Sequence, residues 1–383
     1  MALPHLIPGR LQRSVGPCAE PDARGDPSAR SLLTDPELHM VNLAQISPSR
    51  TRDDCPEARA AAIAHVLVCL DRSASSDACL PHARFVAEAF GARLTLLHVM
   101  PSPPSAHERS RVDALEWEIA RREAELYLDR ARASLGAAPD TTITRMTQGS
   151  PAEQIVAAAR EMAADVTVLA SHGEGGREAV GAGLGSVAQH VLATASGSVL
   201  LVQPACSART PPHRIMVPLD GSVRSECVLP IVADLAHTDG AEVLLVHVVT
   251  EPIPTAVLSE PDDIQLALAL ASRMEANAES YLARIRARML PRVSSVRSLV
   301  VRRGEERQAL LDIASEQCVD MLALTAHGTA CRVERVFGSV ASYLLSHASI
   351  PLFVLQDMPR RALERSPSSS PRENPGTRSR EGE

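Results

Sequence analysis

Between about residues 64 and 356 the chain alternates short continuous apolar runs with longer stretches in which apolar residues recur every three or four positions. Runs of this length and composition suit buried strands, and the longer periodic stretches suit helices. The first half predicts strands at 65–70, 93–99, 141–146, 166–170 and 198–202. Between them fall helices at about 74–90, 107–135 and 151–163, and one opening near Ser186. Cys79, Ala83, Val86 and Phe90 carry the helical spacing of the first. In the long second helix Leu115, Ile119, Leu126 and Leu128 lie on or near the apolar side, and Arg and Glu at i, i+3 and i+4 make a solvated outer face. Ser150-Pro-Ala-Glu153 reads as a helix start, with Pro at the first helical position and Glu closing a capping box. The second half predicts strands at 214–219, 242–248, 296–301, 319–325 and 351–356, with helices at 223–238, 262–290, 305–317 and 339–347.

The two halves are the same pattern twice. His65-Val-Leu-Val-Cys-Leu-Asp71-Arg-Ser73 matches Arg214-Ile-Met-Val-Pro-Leu-Asp220-Gly-Ser222, and Arg93–Val99 matches Glu242–Val248. Val166-Thr-Val-Leu-Ala-Ser-His-Gly173 matches Met321–Gly328, each followed by a Gly-Ser pair that opens a helix. Strand–helix alternation means parallel strands with helices on both faces. The expected fold is therefore α/β: two tandem, doubly wound, parallel five-stranded sheets. A strand order of 3-2-1-4-5 would put the turns after strands one and four on a single crevice, where the winding reverses. The expected organisation is a disordered extension over 1–62, one domain at 63–203, a Pro/Ser-rich linker, a second domain at 213–356, and a disordered tail over 357–383.

Composition removes several classes. With 383 residues, a net charge of −7 and a pI near 6.0, nothing calls for a nucleic-acid partner. Aromatics are 2% of the chain, so the core falls to Ala, Val, Leu and Ile. All 39 basic residues are arginine, which excludes a Walker-type P-loop and Schiff-base chemistry, since both need lysine. The eight cysteines have neither C-x-x-C nor zinc spacing, and Cys69 and Cys318 lie within or beside apolar runs, as inert core residues would. No run reaches the roughly 18 apolar residues of a membrane span, so a cytoplasmic protein with no membrane partner is expected.

The candidate chemistry is a strand, a glycine turn, a loop, and a Gly-Ser pair at a helix N-terminus. Exposed N–H groups and the positive helix end favour an anion there. A plain capped helix would leave the same Gly-Ser signature. Asp71 and Asp220, where strand one meets a helix, read either as helix caps or as ligand contacts. His172 and His327 have no Ser or Cys nucleophile with an orienting partner beside them, so hydrogen bonding of the turn is the reading for both, and no catalytic residue is assigned.

These landmarks together resemble the universal stress protein family in its tandem form, through Val217-Pro-Leu-Asp220-Gly-Ser222, Leu245-Val-His247-Val248 and Ala326-His-Gly328-x9-Gly338-Ser339. The resemblance implies the adenine nucleotide alpha-hydrolase-like fold, a stress-response regulatory role and, in one branch, ATP binding, with or without Mg2+. It would place Asp220 beside the ribose, the Val248 backbone at the adenine edge, and Gly328, Gly338, Ser339 and Val340 on the phosphates. Asp71, Val99, Gly173, Gly185 and Ser186 are the first-half equivalents. The leading glycine of the ATP branch is Thr325 in the second half and Ala170 in the first. The first half departs further: eleven residues rather than nine separate Gly173 from Gly185, Cys69 replaces the proline, and Arg72 replaces the glycine after the aspartate. The expectation is an adenine-nucleotide-binding regulator with its better site in the second half, packed as an internal pseudo-dimer that could assemble further or engage a protein partner. The alternative is a scaffold without nucleotide that acts through protein contacts. ATP hydrolysis is the weakest expectation, because carboxylates for magnesium are not clustered.

Overall fold

The computed structural model describes residues 63–101, 114–136, 141–173, 183–194, 197–203, 209–250, 261–328 and 337–356. The two tails, and most of the loop after Gly173, lie outside the described residues. The first half runs β1 (His65–Leu70), α1 (Ala74–Asp77), α2 (Cys79–Phe90), β2 (Arg93–Met100), α3 (Ala114–Ser134), β3 (Thr142–Gln148), α4 (Pro151–Glu161), β4 (Val166–Ala170), α5 (Ser186–Thr194) and β5 (Ser198–Val202). The second runs β6 (Arg214–Pro218), α6 (Val223–Glu226), α7 (Leu229–Asp239), β7 (Glu242–Thr250), α8 (Pro261–Met289), β8 (Ser295–Arg303), α9 (Glu306–Glu316), β9 (Met321–Thr325), α10 (Ser339–His347) and β10 (Leu352–Leu355).

Each half has the strand order 3-2-1-4-5, and the halves merge into one ten-stranded sheet, β3-β2-β1-β4-β5-β10-β9-β6-β7-β8. Pairing within each half is parallel. At the seam β10 runs antiparallel to β5, with Phe353 opposite Leu200. Side chains alternate across the sheet as the pleat requires. Val66, Val68 and Leu70 enter one apolar layer with α2, α3, α7 and α8. Leu67 and Cys69 enter the other with α4, α5, α9 and α10. Both layers draw residues from both halves, so the seam interrupts neither. At the strand N-termini the Asp165 carboxylate accepts from the amides of Ala64 and His65, and Asp320 does the same for His213 and Arg214.

Four expectations need correction. The helices expected at 74–90 and 223–238 are each broken after one turn. Pro81 and Pro230 have no N–H to return to the carbonyls of Asp77 and Glu226, and those are the last residues of α1 and α6. In α3 the buried stripe is Ala124, Leu128, Ala131 and Leu135, whereas Leu115, Ile119 and Leu126 are exposed. The Ser150 side chain makes no capping hydrogen bond, so the capping box does not form. Cys318 is exposed, in a left-handed conformation (φ 49°) just past α9, because the chain must turn there to enter β9. No helix among the described residues is long and apolar enough to cross a membrane.

Candidate functional site

The site begins where β1 stops. The Asp71 Oδ1 atom accepts from the amide of Ser73 at 3.0 Å and from its hydroxyl at 2.5 Å. Ser73 in turn caps α1 by accepting from the Ser76 amide at 3.1 Å. The second half copies this geometry. Asp220 Oδ1 accepts from the Ser222 amide (2.9 Å) and hydroxyl (2.6 Å), and Ser222 caps α6. Each aspartate therefore orients the turn while the serine does the capping. That division answers the question the sequence left open about the caps.

The glycine turns close against these aspartates. A Cβ on Gly173 would lie 2.2 Å from Asp71 Oδ2, and one on Gly328 would lie 2.3 Å from Asp220 Oδ2. Neither position can accept a side chain without displacing the carboxylate. Beyond the turns, the Gly185 amide donates to Ser171 O (2.8 Å) and the Gly338 amide to Ala326 O (2.7 Å). These bonds place the starts of α5 and α10 beside the strand ends. A Cβ would meet the same carbonyls at 3.2 and 3.3 Å. Ser186 and Ser339, at the first positions of α5 and α10, are exposed, and Val340 packs partly against the core.

In the first half Asp71, Val99, Gly173, Gly185 and Ser186 border a single cavity of about 890 Å³. Clefts that take small molecules run to roughly 300–1,000 Å³. Leu97 and Ile155 supply apolar wall, and Pro151 at the start of α4 stands at one side. Ala170, the residue in place of the leading glycine, is part of the lining and leaves the cavity in place. His98 donates from Nδ1 to Leu70 O at 2.8 Å, and His247 likewise to Leu219 O at 2.7 Å; a carbonyl can only accept, which fixes the proton on Nδ1. Both imidazoles thus tie strand two to the end of strand one. His172 Nδ1 lies 3.0 Å from Ser171 Oγ, within the turn itself. His327 is buried.

The second half differs at a residue the sequence reading passed over. Glu306 opens α9 as Pro151 opens α4, and it is half-buried. Its carboxyl is pushed above the usual range, first by burial and then by the Asp220 carboxylate, while His247 and Arg307 pull the other way. A glutamate in a first helical turn complements the helix dipole, so in sequence it looks like an ordinary cap. Thr325 is buried and its hydroxyl donates to His327 O at 2.8 Å, so the side chain is turned onto its own turn. Val248, the adenine-edge candidate, is 9% exposed. Among the described residues no group of three or more His, Cys, Asp or Glu could hold a metal ion.

The universal stress protein family model matches residues 63–203 and again 212–356. A universal stress protein of Mycolicibacterium smegmatis (strain ATCC 700084 / mc(2)155) is 27% identical over 304 residues, covering 76% of this chain and 96% of its own. Among solved structures, a functionally unknown protein from Pseudomonas aeruginosa PAO1 matches at TM-score 0.53 and 14% identity, over 80% of this chain and 96% of that one. A universal stress protein from Archaeoglobus fulgidus DSM 4304 gives TM-score 0.49 and 17% identity, over 77% and 98%. The two family matches take in both halves of the sheet, each with its own aspartate turn and glycine cradle. The chain belongs to the universal stress protein family, a stress-response family, and carries the family's unit twice.

Proposed function

We propose that this protein is a stress-response regulator that binds an adenine nucleotide, ATP in the first instance, in the crevice of its first half. The carrying observation is that Asp71, Val99, Gly173, Gly185 and Ser186 all border one cavity of about 890 Å³. In this reading the Val99 backbone meets the adenine edge and Asp71 the ribose. Gly173 and Ser186 present backbone N–H groups to phosphate, while the Gly185 amide, held by Ser171 O, fixes where α5 begins. The residues fit such a group: the cavity has small-molecule size, and the two glycines let the turn and the start of α5 close at its edge. Binding would shift the population of a partner-competent conformation by its differential affinity for it.

The glycine spacing pointed to the second half as the better site; Glu306 argues for the first. A polyanion entering beside Asp220 would face two carboxylates at low solvation, whereas Pro151 brings no charge. We therefore assign the second domain, 213–356, a supporting role in which its shared sheet and helical layers hold the nucleotide-binding domain, 63–203. Calorimetry of the purified protein with ATP and magnesium is expected to give one site per chain. Gly185→Asp, which puts a carboxylate where phosphate would lie, is expected to abolish it. No heat at millimolar ATP would overturn the proposal and leave the scaffold reading, which Glu306 also favours for the second half.

A further inference from the structure

Arg72, next to Asp71, carries a backbone conformation that arginine resists: its φ is 72°. The matching residue of the second half is Gly221, at φ 82°. Glycine occupies this left-handed region freely, while any residue with a Cβ is strained in it. The first half therefore holds an arginine where the turn itself asks for glycine.

The fold gains little in return. The Arg72 guanidinium pairs with Glu123 on α3 at 3.0 Å, but the side chains are 39% and 55% exposed. Exposed pairs of this kind are weak and screened by salt. What the strained position does secure is location. Arg72 lines the same cavity as Asp71, Gly185 and Ser186, and among the described residues lining it no other lysine or arginine occurs.

The charge pattern differs correspondingly between the halves. At the three matching positions the first half has Asp71, Arg72 and Pro151, one carboxylate and one guanidinium, the latter paired with Glu123. The second half has Asp220, Gly221 and Glu306, two carboxylates and no cation. An anionic ligand would find a guanidinium in the first set and only carboxylates in the second, where the nearest counter-charge is Arg307 beside Glu306.

We propose that Arg72 is the specificity-determining residue of the first-half crevice, and that it exchanges Glu123 for an oxygen of the ligand's phosphate group. Guanidinium suits this role because it stays charged and its N–H fork matches phosphate geometry. The inference rests on the nucleotide reading of the same crevice and adds the reason an anionic occupant is chosen.

The test compares ATP with adenosine on the full-length protein, wild type against Arg72→Gly, with Glu123→Gln as a second variant. Arg72→Gly is expected to bind ATP about tenfold more weakly, the effect of losing one charge-assisted hydrogen bond. Its adenosine affinity should be unchanged, and its melting temperature equal to or above that of wild type. Glu123→Gln should bind ATP as well as wild type or better, because the guanidinium is released. If wild type binds ATP and Arg72→Gly binds it within twofold as well, Arg72 is only a strut to α3, and this inference fails while the nucleotide reading stands. A lower melting temperature in both variants with parallel losses for ATP and adenosine overturns it equally. Wild type that binds neither ligand removes the nucleotide reading and this inference with it.

Discussion

Single residues distinguish the two aspartate turns. Asp71 and Asp220 are held alike by the serine two positions on. Gly173 and Gly328 meet them with equal closeness. What separates the halves is a neighbour of each aspartate, Arg72 against Gly221, and the residue opening the helix after the third strand, Pro151 in α4 against Glu306 in α9. If Glu306 keeps phosphate out, wild-type protein should carry one ATP per chain and Glu306→Ala two, read by native mass spectrometry in the presence of ATP. Two nucleotides on wild type, or one on the variant, would mean that the carboxylate does not decide the stoichiometry. The turn chemistry was legible in the sequence because aspartate, glycine and serine act on their own backbone within a few residues. Glu306 was not, because its effect depends on Asp220, 86 positions earlier in the chain and adjacent only once β6 and α9 are in place.

Elements follow local pattern closely in the strands and less closely in the helices. The run Val66–Leu70 is apolar on both faces and is buried on both, as a central parallel strand must be. α3 is the contrary case: its leucines at 115 and 126 are exposed while Leu128 is buried. A long charged helix offers several competing apolar stripes, and which one turns inward is settled by the sheet it crosses. Leu128→Ala is expected to cost about 2–5 kcal/mol, as a cavity in a packed layer does. Leu126→Ala, on the exposed side, should stay within about 0.5 kcal/mol. Urea unfolding midpoints of the two variants check this, and equal losses would mean that the stripe is misassigned.

At the scale of the molecule the two halves share one sheet and two apolar layers. Thr210, in the segment between the halves, places its hydroxyl 3.0 Å from His82 of α2, within hydrogen-bonding distance of the ring. Burial pushes the His82 imidazole down to about 4 from an ordinary 6.5. The folded state therefore refuses a proton that the unfolded chain accepts below pH 6.5. This contribution is whole above pH 6.5 and is lost progressively as the pH falls, reaching about 3 kcal/mol by pH 4. His82→Gln should flatten the decline in stability between pH 6.5 and 4 relative to wild type, measured by urea unfolding at several pH values. An unchanged slope would show that other groups carry the acid sensitivity.

The sequence by itself determined the duplication, the α/β class and the residues of both turns. Each of these follows from periodicity and from interactions that close over short stretches of chain. Only the tertiary structure decided that β5 and β10 join antiparallel into a single sheet. It alone also decided which helix stripe is buried and that Glu306 comes close to Asp220. Those outcomes turn on which distant segments become neighbours, and charge and burial take their magnitudes from neighbours in space, not in sequence.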